Sequence, residues 1–276
     1  MYRPSARLLA SAAVVAALAL GGCSTVTTGT SSADVTGSIR SETAPRTPVQ
    51  WRQEMDSWGV RYRANPSDPD AAIKYAQALR AVGQRAQAAA VLEQAAVHNP
   101  DNRAVLGAYG RALADNGNFQ QALDVLNRAH TQDQPDWRIL SVQGAVLDQM
   151  NRHADAQRYY ASALRLMPDE PSVLSNLGLS YALAKDLKRA EETLRRASAK
   201  GSADKRVRQN LALVVGLQGR FQEAETIARA DLPPTEAAAN VAYLRQMLAQ
   251  KGNANLKKTI RSRAVDGLEP VDESGS

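Results

Sequence analysis

An all-α array of helix pairs is the fold class this sequence predicts, and three regularities carry the prediction. Ala88, Ala122, Ala156, Ala190 and Ala224 stand 34 residues apart without gap or slip. In a 34-residue frame starting at Pro69, Arg103, Trp137, Pro171 and Lys205, position 8 holds Ala76, Gly110, Gly144, Gly178 and Ala212. Position 27 holds Ala95, Ala129, Ala163 and Ala197 before Asp231 breaks the series. Small residues at fixed phase are required where two helices cross closely, because a larger side chain would push the backbones apart. Position 15 reads Gly83, Gly117, Asn151, Lys185 and Gly219, and glycine or asparagine there supplies the left-handed conformation that ends a helix. Pro100 and Pro168 at position 32, with Pro135 one residue late, stop the second helix of a unit before the next unit begins.

Composition agrees with close helix packing. Of 276 residues 44% are hydrophobic but only 5% aromatic, and one cysteine excludes an intrachain disulfide. The net charge of +6 arises from 34 basic and 28 acidic residues mixed along the chain. Charge of both signs so interspersed describes a solvated helical surface and gives no support to nucleic acid binding.

The elements follow in order. Arg3 and Arg7 precede an uncharged apolar run from Leu8 to Leu20, the pattern of an export signal over 1–22 and too short to span a bilayer as a helix. The run ends in Leu20-Gly21-Gly22-Cys23, which resembles the lipobox of bacterial lipoproteins. That resemblance implies cleavage after Gly22, acyl chains on Cys23 as the only bound group, and a stable lipid anchor. Ser24 after the cysteine implies, by the same resemblance, the outer membrane, with the protein facing the periplasm. The alternative is an ordinary secretory signal with an incidental cysteine. Residues 23–49, rich in Ser, Thr and Gly, read as a flexible linker. A coil of that kind holds the folded part roughly 25–30 Å from its anchor.

Residues 50–68 read as an N-terminal capping half-repeat, since Trp58 and Pro66 fall at positions 24 and 32 of a frame placed one period upstream. Five full units occupy 69–238. The third carries Leu140, Gly144, Leu147, Ala156, Tyr160, Ala163 and Pro168, and the fourth Leu174, Leu177, Gly178, Tyr181, Ala190 and Ala197. This pattern resembles the tetratricopeptide repeat, which implies a right-handed superhelical solenoid. Residues 239–264 are expected to cap the array with one or more helices, on the apolar stripe of Val241, Leu244, Met247 and Leu248. Residues 265–276 are polar and read as a disordered tail. The bases Lys257, Lys258, Arg261 and Arg263 read as a solvated helix end, with contact to anionic lipid as the alternative.

Catalytic constellations are not evident. His98, His130 and His153 fall at positions 30, 28 and 17, so they share no metal-ligand spacing and read as solvated or turn histidines. The glycines sit at packing and turn positions, not in a phosphate loop. The expectation is therefore a binding protein without enzymatic activity, cofactor or metal. A solenoid offers a concave face, lined in tetratricopeptide families mainly by positions 2, 5, 6, 9, 12 and 13 of the first helix. In the second and third units those positions include Arg111, Asp115, Arg138, Asp148 and Gln149; in the fourth and fifth they include Leu179, Leu183, Leu213 and Leu217. The four leucines are expected to seat an apolar partner segment, with Asn176 and Asn210 bonding its backbone and Arg206 meeting an acidic group. The lysines of the family's carboxylate-clamp subclass are missing at the matching places, which argues against a terminal-carboxylate ligand. The alternative is that the chain's own C-terminal helix covers the leucines.

Beyond the repeat, the lipobox, Pro135-Asp136-Trp137-Arg138-Ile139-Leu140, Ser175-Asn176-Leu177-Gly178-Leu179-Ser180-Tyr181 and Gln209-Asn210-Leu211-Ala212-Leu213 resemble the TadD-type lipoproteins of tight-adherence (Flp) pilus assembly. The resemblance implies a scaffold of the pilus and secretion machinery that helps its outer-membrane secretin assemble or localise. Two alternatives stay open: a pilotin or outer-membrane assembly scaffold of another system, and an adaptor for a periplasmic peptidoglycan enzyme.

Overall fold

The computed structural model describes residues 46–200, 204–249 and 260–261. The expected signal segment 1–22, Cys23, most of the expected linker and the expected tail 265–276 lie outside the described residues. Within them the chain is an all-α solenoid of twelve helices and no strands. The first helices of the units are α2 (Pro69–Ala81), α4 (Arg103–Asp115), α6 (Trp137–Gln149), α8 (Pro171–Leu183) and α10 (Lys205–Leu217). The second helices are α3 (Arg85–His98), α5 (Phe119–Ala129), α7 (His153–Leu166), α9 (Leu187–Ser198) and α11 (Phe221–Ala228). Both sets start at intervals of 34 residues. Each first helix packs on its own second helix, and that one on the next first helix.

Local chemistry sets the boundaries. Every first helix has an oxygen-bearing side chain at its N-cap: Asp68, Asn102, Asp136, Glu170 and Asp204 each accept a hydrogen bond from a backbone N–H of the first turn. Such caps satisfy donors the helix leaves orphaned. At the other end Gly83, Gly117, Asn151, Lys185 and Gly219 all have positive φ, between 64° and 85°. In each turn the following residue donates its N–H back to a carbonyl five residues earlier, as from Gln84 to Leu79 and from Asp186 to Tyr181, the bonding of a Schellman cap. Lys185, exposed at φ 67°, is the costliest of the five for an L-residue. Lys185→Gly is expected to raise stability by about 0.5 kcal/mol, the relief of left-handed strain less the entropy glycine adds to the unfolded chain; a urea melt of the purified protein measures it.

Packing follows the small residues. The five position-20 alanines are fully buried, as are Ala95, Ala163 and Ala197. A Cβ on Gly110 would lie 2.5 Å from Leu126 Cγ, on Gly144 2.7 Å from Tyr160 Cε1, and on Gly178 2.6 Å from Leu194 Cγ. These distances are too short for real contacts, so the close crossing of first and second helix depends on glycine in those three units.

The two ends depart from the regular units. α1 spans Pro48–Ala64 and starts before the expected half-repeat, because Thr47 and Gln50 form a capping box and Pro48 occupies the first turn. Its Gly59 is buried near Tyr75 of α2. At the far end α11 stops after eight residues. Asp231, where the other units have alanine, binds Arg208 of α10 at 2.7 and 2.5 Å. The last helix, α12 (Pro234–Ala249), consequently starts inside the fifth frame, and its Leu244 fills the space above Gly216 of α10.

Candidate functional site

Side by side, the first helices α2, α4, α6, α8 and α10 form one continuous face, and the structure divides it into two unlike halves. In the C-terminal half, Leu179 is 0% exposed, Leu183 and Leu213 are buried, and Leu217 is half-buried. All four belong to or pack against one apolar cluster with Val241 and Leu244 of α12 and with Ile260, which is 2% exposed. Gln149 donates to the carbonyl of Arg261 at 2.8 Å, and the Arg261 guanidinium donates to Asn151 Oδ1 at 2.8 Å. The expected seating of a partner on these leucines thus meets a different occupant: the chain returns to the array and places Ile260 in their cluster. Burying such apolar surface is favourable at about 25 cal/mol per Å², whichever chain supplies the cover.

The asparagines are likewise engaged within the array. Asn176 donates to Ser141 Oγ at 3.4 Å and Asn210 to Ser175 Oγ at 3.0 Å, in each case reaching the preceding unit. Both amides are buried, so they pin neighbouring units in register and have few remaining bonds for a ligand backbone. Arg206 remains partly exposed, 3.8 Å from Asp204.

Asp148, assigned by position to the polar half of the face, is fully buried. It accepts hydrogen bonds from Ser180 Oγ at 2.8 Å and Tyr160 Oη at 3.1 Å, and lies 2.8 Å from His153 Nδ1. Burial pushes its carboxyl above the usual value, and the bonds from His153, Ser180 and Tyr160 offset this only in part. The group joins α6, α7 and α8 and is structural. His153, half-buried at the start of α7, lies 3.2 Å from Asn151 Oδ1 of the preceding turn, so it is a turn histidine tied to a buried group and not a solvated one, and His130 lies 3.2 Å from Gln143, which is itself buried and bonded to Asn127. Among the described residues no three His, Cys, Asp or Glu side chains are grouped as a metal site, and no helix is long and apolar enough to cross a membrane.

The N-terminal half is open. A cavity of about 760 Å³ lies between α2, α4 and α6, floored by Ile73, Gly107 and Ile139 and edged by Lys74, Arg80, Arg111 and Arg138. Arg80 is bound to Asp115 of the next unit. The Arg138 guanidinium lies over the Trp137 ring, 4.7 Å from its centroid. Burial, and then the charge of Arg80, pull Arg111 down to about 10 despite Asp115 and Asp136. Such a surface offers a ligand cations beside apolar lining.

Comparison with known proteins agrees with this architecture. The tetratricopeptide repeat family matches residues 79–145 and 149–214. No curated protein matches the chain. Among solved structures, the fold is similar to PilW, described as a widely conserved type IV pilus biogenesis factor, at a TM-score of 0.58 and 19% identity over 70% of this chain and 91% of that one. It is also similar to Cut9–Hcn1 of the APC/C, at a TM-score of 0.55 and 15% identity over 79% of this chain and 48% of that one. A third likeness, to MamA from Desulfovibrio magneticus RS-1, has a TM-score of 0.46 at 19% identity over 67% of this chain and 97% of that one.

Proposed function

We propose that this tetratricopeptide-repeat protein is a non-enzymatic, lipid-anchored scaffold of the outer membrane. It faces the periplasm and binds protein partners during assembly of the tight-adherence (Flp) pilus apparatus, its secretin first among them. The observation that carries the binding role is the first-helix face, continuous over five units and open at its N-terminal half. Recognition of extended or helical segments is what such faces do. The lipobox ending in Cys23 and the three stretches that resemble TadD-type lipoproteins support the place and the system. PilW, a pilus biogenesis factor of the same fold, is a precedent for the role and not evidence of it.

The leucine half of the face enters this scheme in a second step. Leu179, Leu183, Leu213 and Leu217, flanked by Asn176, Asn210 and Arg206, take part in partner binding only after Ile260 leaves their cluster.

Two experiments test the reading. Chemical crosslinking in intact cells, followed by recovery of the protein from solubilised membranes, is expected to bring down the secretin; recovery of cell-wall hydrolases without secretin contradicts the pilus reading and favours the peptidoglycan-enzyme adaptor. Cys23→Ser is expected to release the protein from the membrane fraction and abolish incorporation of labelled palmitate. Unchanged fractionation would remove the anchor, because several acyl chains bind stably where none leaves only weak contacts.

A further inference from the structure

The geometry points to the cavity between α2, α4 and α6 as the docking site for an acidic, extended segment of a partner protein, held by side-chain carboxylates against Lys74, Arg111 and Arg138. The inference rests on the scaffold reading and adds the chemistry of the partner and the place where it binds.

Two features support it, and the electrostatics of Arg111 agree with them. The first is charge: the lining holds five basic side chains, Lys74, Arg80, Arg103, Arg111 and Arg138, against two acidic ones, Asp70 and Asp136. Asp115 adds a third acid but is bound to Arg80, so the wall stays net positive. A concave, partly apolar wall concentrates that field on a ligand. The second is bonding capacity: Arg138 Nε is buried without a hydrogen-bond partner while its guanidinium lies on Trp137. Stacking fixes the plane of the fork and costs it little, and a carboxylate is the group that matches a guanidinium edge. The electrostatics of Arg111 agree: burial first, and then the neighbouring charge of Arg80, pull its guanidinium down to about 10 despite Asp115 and Asp136, and a further negative charge in the cavity would strengthen its hold on the proton.

Size and shape select a segment over a small ion. About 760 Å³ is room for several residues, and Ile73, Gly107 and Ile139 floor it with apolar surface. The fitting sequence therefore alternates acidic and aliphatic side chains, so that in an extended conformation one edge meets the cations and the other the floor. The other half of the first-helix face differs in kind, since Ile260 is already buried among its leucines.

The test uses the full-length protein in detergent and a fluorescent, acetylated and amidated nonapeptide of alternating Glu and Leu, with Gln/Leu and Lys/Leu peptides for comparison. Blocked termini leave side-chain carboxylates as the only anions. The Glu/Leu peptide is expected to bind at least tenfold tighter than either comparison peptide, and to weaken several-fold as ionic strength is raised. Arg138→Gln and, separately, Lys74→Gln are each expected to weaken it roughly tenfold, the loss of one charge-assisted bond. Lys74 is partly exposed, and Lys74→Gln keeps a polar side chain there, so it serves as the variant least coupled to folding. Equal binding of the three peptides, or no response to either variant, overturns the proposal. So does a third outcome, in which the peptide binds only after Asp266, Glu269, Asp272 and Glu273 are neutralised, because the occupant is then the chain's own acidic end. Peptide binding with no secretin in the crosslinked material leaves the cavity chemistry standing and removes the pilus assignment, and the reverse result does the opposite.

Discussion

Tyr160→Ala is expected to cost about 4 kcal/mol, the largest effect of any single substitution considered for this protein. The side chain is fully buried and sits where α6 and α7 cross, its ring directly above Gly144. Removing it leaves a cavity in the middle of the array and withdraws the hydroxyl from Asp148. Tyr160→Phe removes the hydroxyl alone and is expected to cost about 1 kcal/mol, which separates packing from bonding. Gly144→Ala attacks the same contact from the other side. Its methyl group would meet the ring at 2.7 Å, for a loss of about 2 kcal/mol even after alanine's better helix propensity is credited. Combining Gly144→Ala with Tyr160→Ala should cost at least about 1 kcal/mol less than the sum, since the ring the methyl collides with is gone. Urea denaturation of the four proteins measures the cycle; additivity would mean that glycine at position 8 is not there for the tyrosine.

Asp148→Ala is expected to cost about 3 kcal/mol, because Tyr160 and Ser180 hydroxyls and the His153 ring lose a common buried partner. Asp148→Asn keeps an acceptor and is expected to recover most of that. The pH dependence has a definite sign. Burial raises the Asp148 carboxyl above its ordinary 3.8, so between 3.8 and the folded value the unfolded chain gives up the proton first. This group's contribution to stability therefore falls as pH rises through that window and is most favourable below 3.8. Asp148→Asn removes the dependence, and urea midpoints compared across acidic pH for the two proteins report it; an unchanged slope would place the carboxyl outside the titrating network.

Much of the fold is legible in the residue order because its causes are local. The oxygen-bearing capping residues, the left-handed turn residues and the buried alanines each act within one helix pair, and each recurs every 34 residues. The candidate site was only partly legible. Frame position told which helix face Leu179 and Leu213 occupy, but not what covers that face, and Ile260 enters from outside the periodic part of the chain. The bond between Gln149 and Arg261 spans 112 residues, and no spacing rule reaches so far. The roles of Asn176 and Asn210 did leave a signal: serine at position 5 of one unit and asparagine at position 6 of the next recur together, 35 residues apart. A polar pair that repeats with the array belongs to the array. Asp148 left a weaker one, since its partners lie at +5, +12 and +32 and only the fold brings them together. The basic cavity is legible in part: Lys74 at position 6, Arg80 at 12, Arg111 at 9 and Arg138 at 2 all fall at face-lining positions, but they make no column in the repeat, and only the fold shows that they line one cavity.

The central proposal is that the open half of the first-helix face is where this protein meets its partner. Its most direct measurement is site-specific photo-crosslinking in living cells, with the reactive residue placed at Gln77, which lines the cavity, or at Lys188, exposed on the second helix α9. A crosslink to the secretin from Gln77 and none from Lys188 is the predicted result; a secretin adduct from Lys188 with none from Gln77, or no protein adduct from the cavity at all, would contradict it.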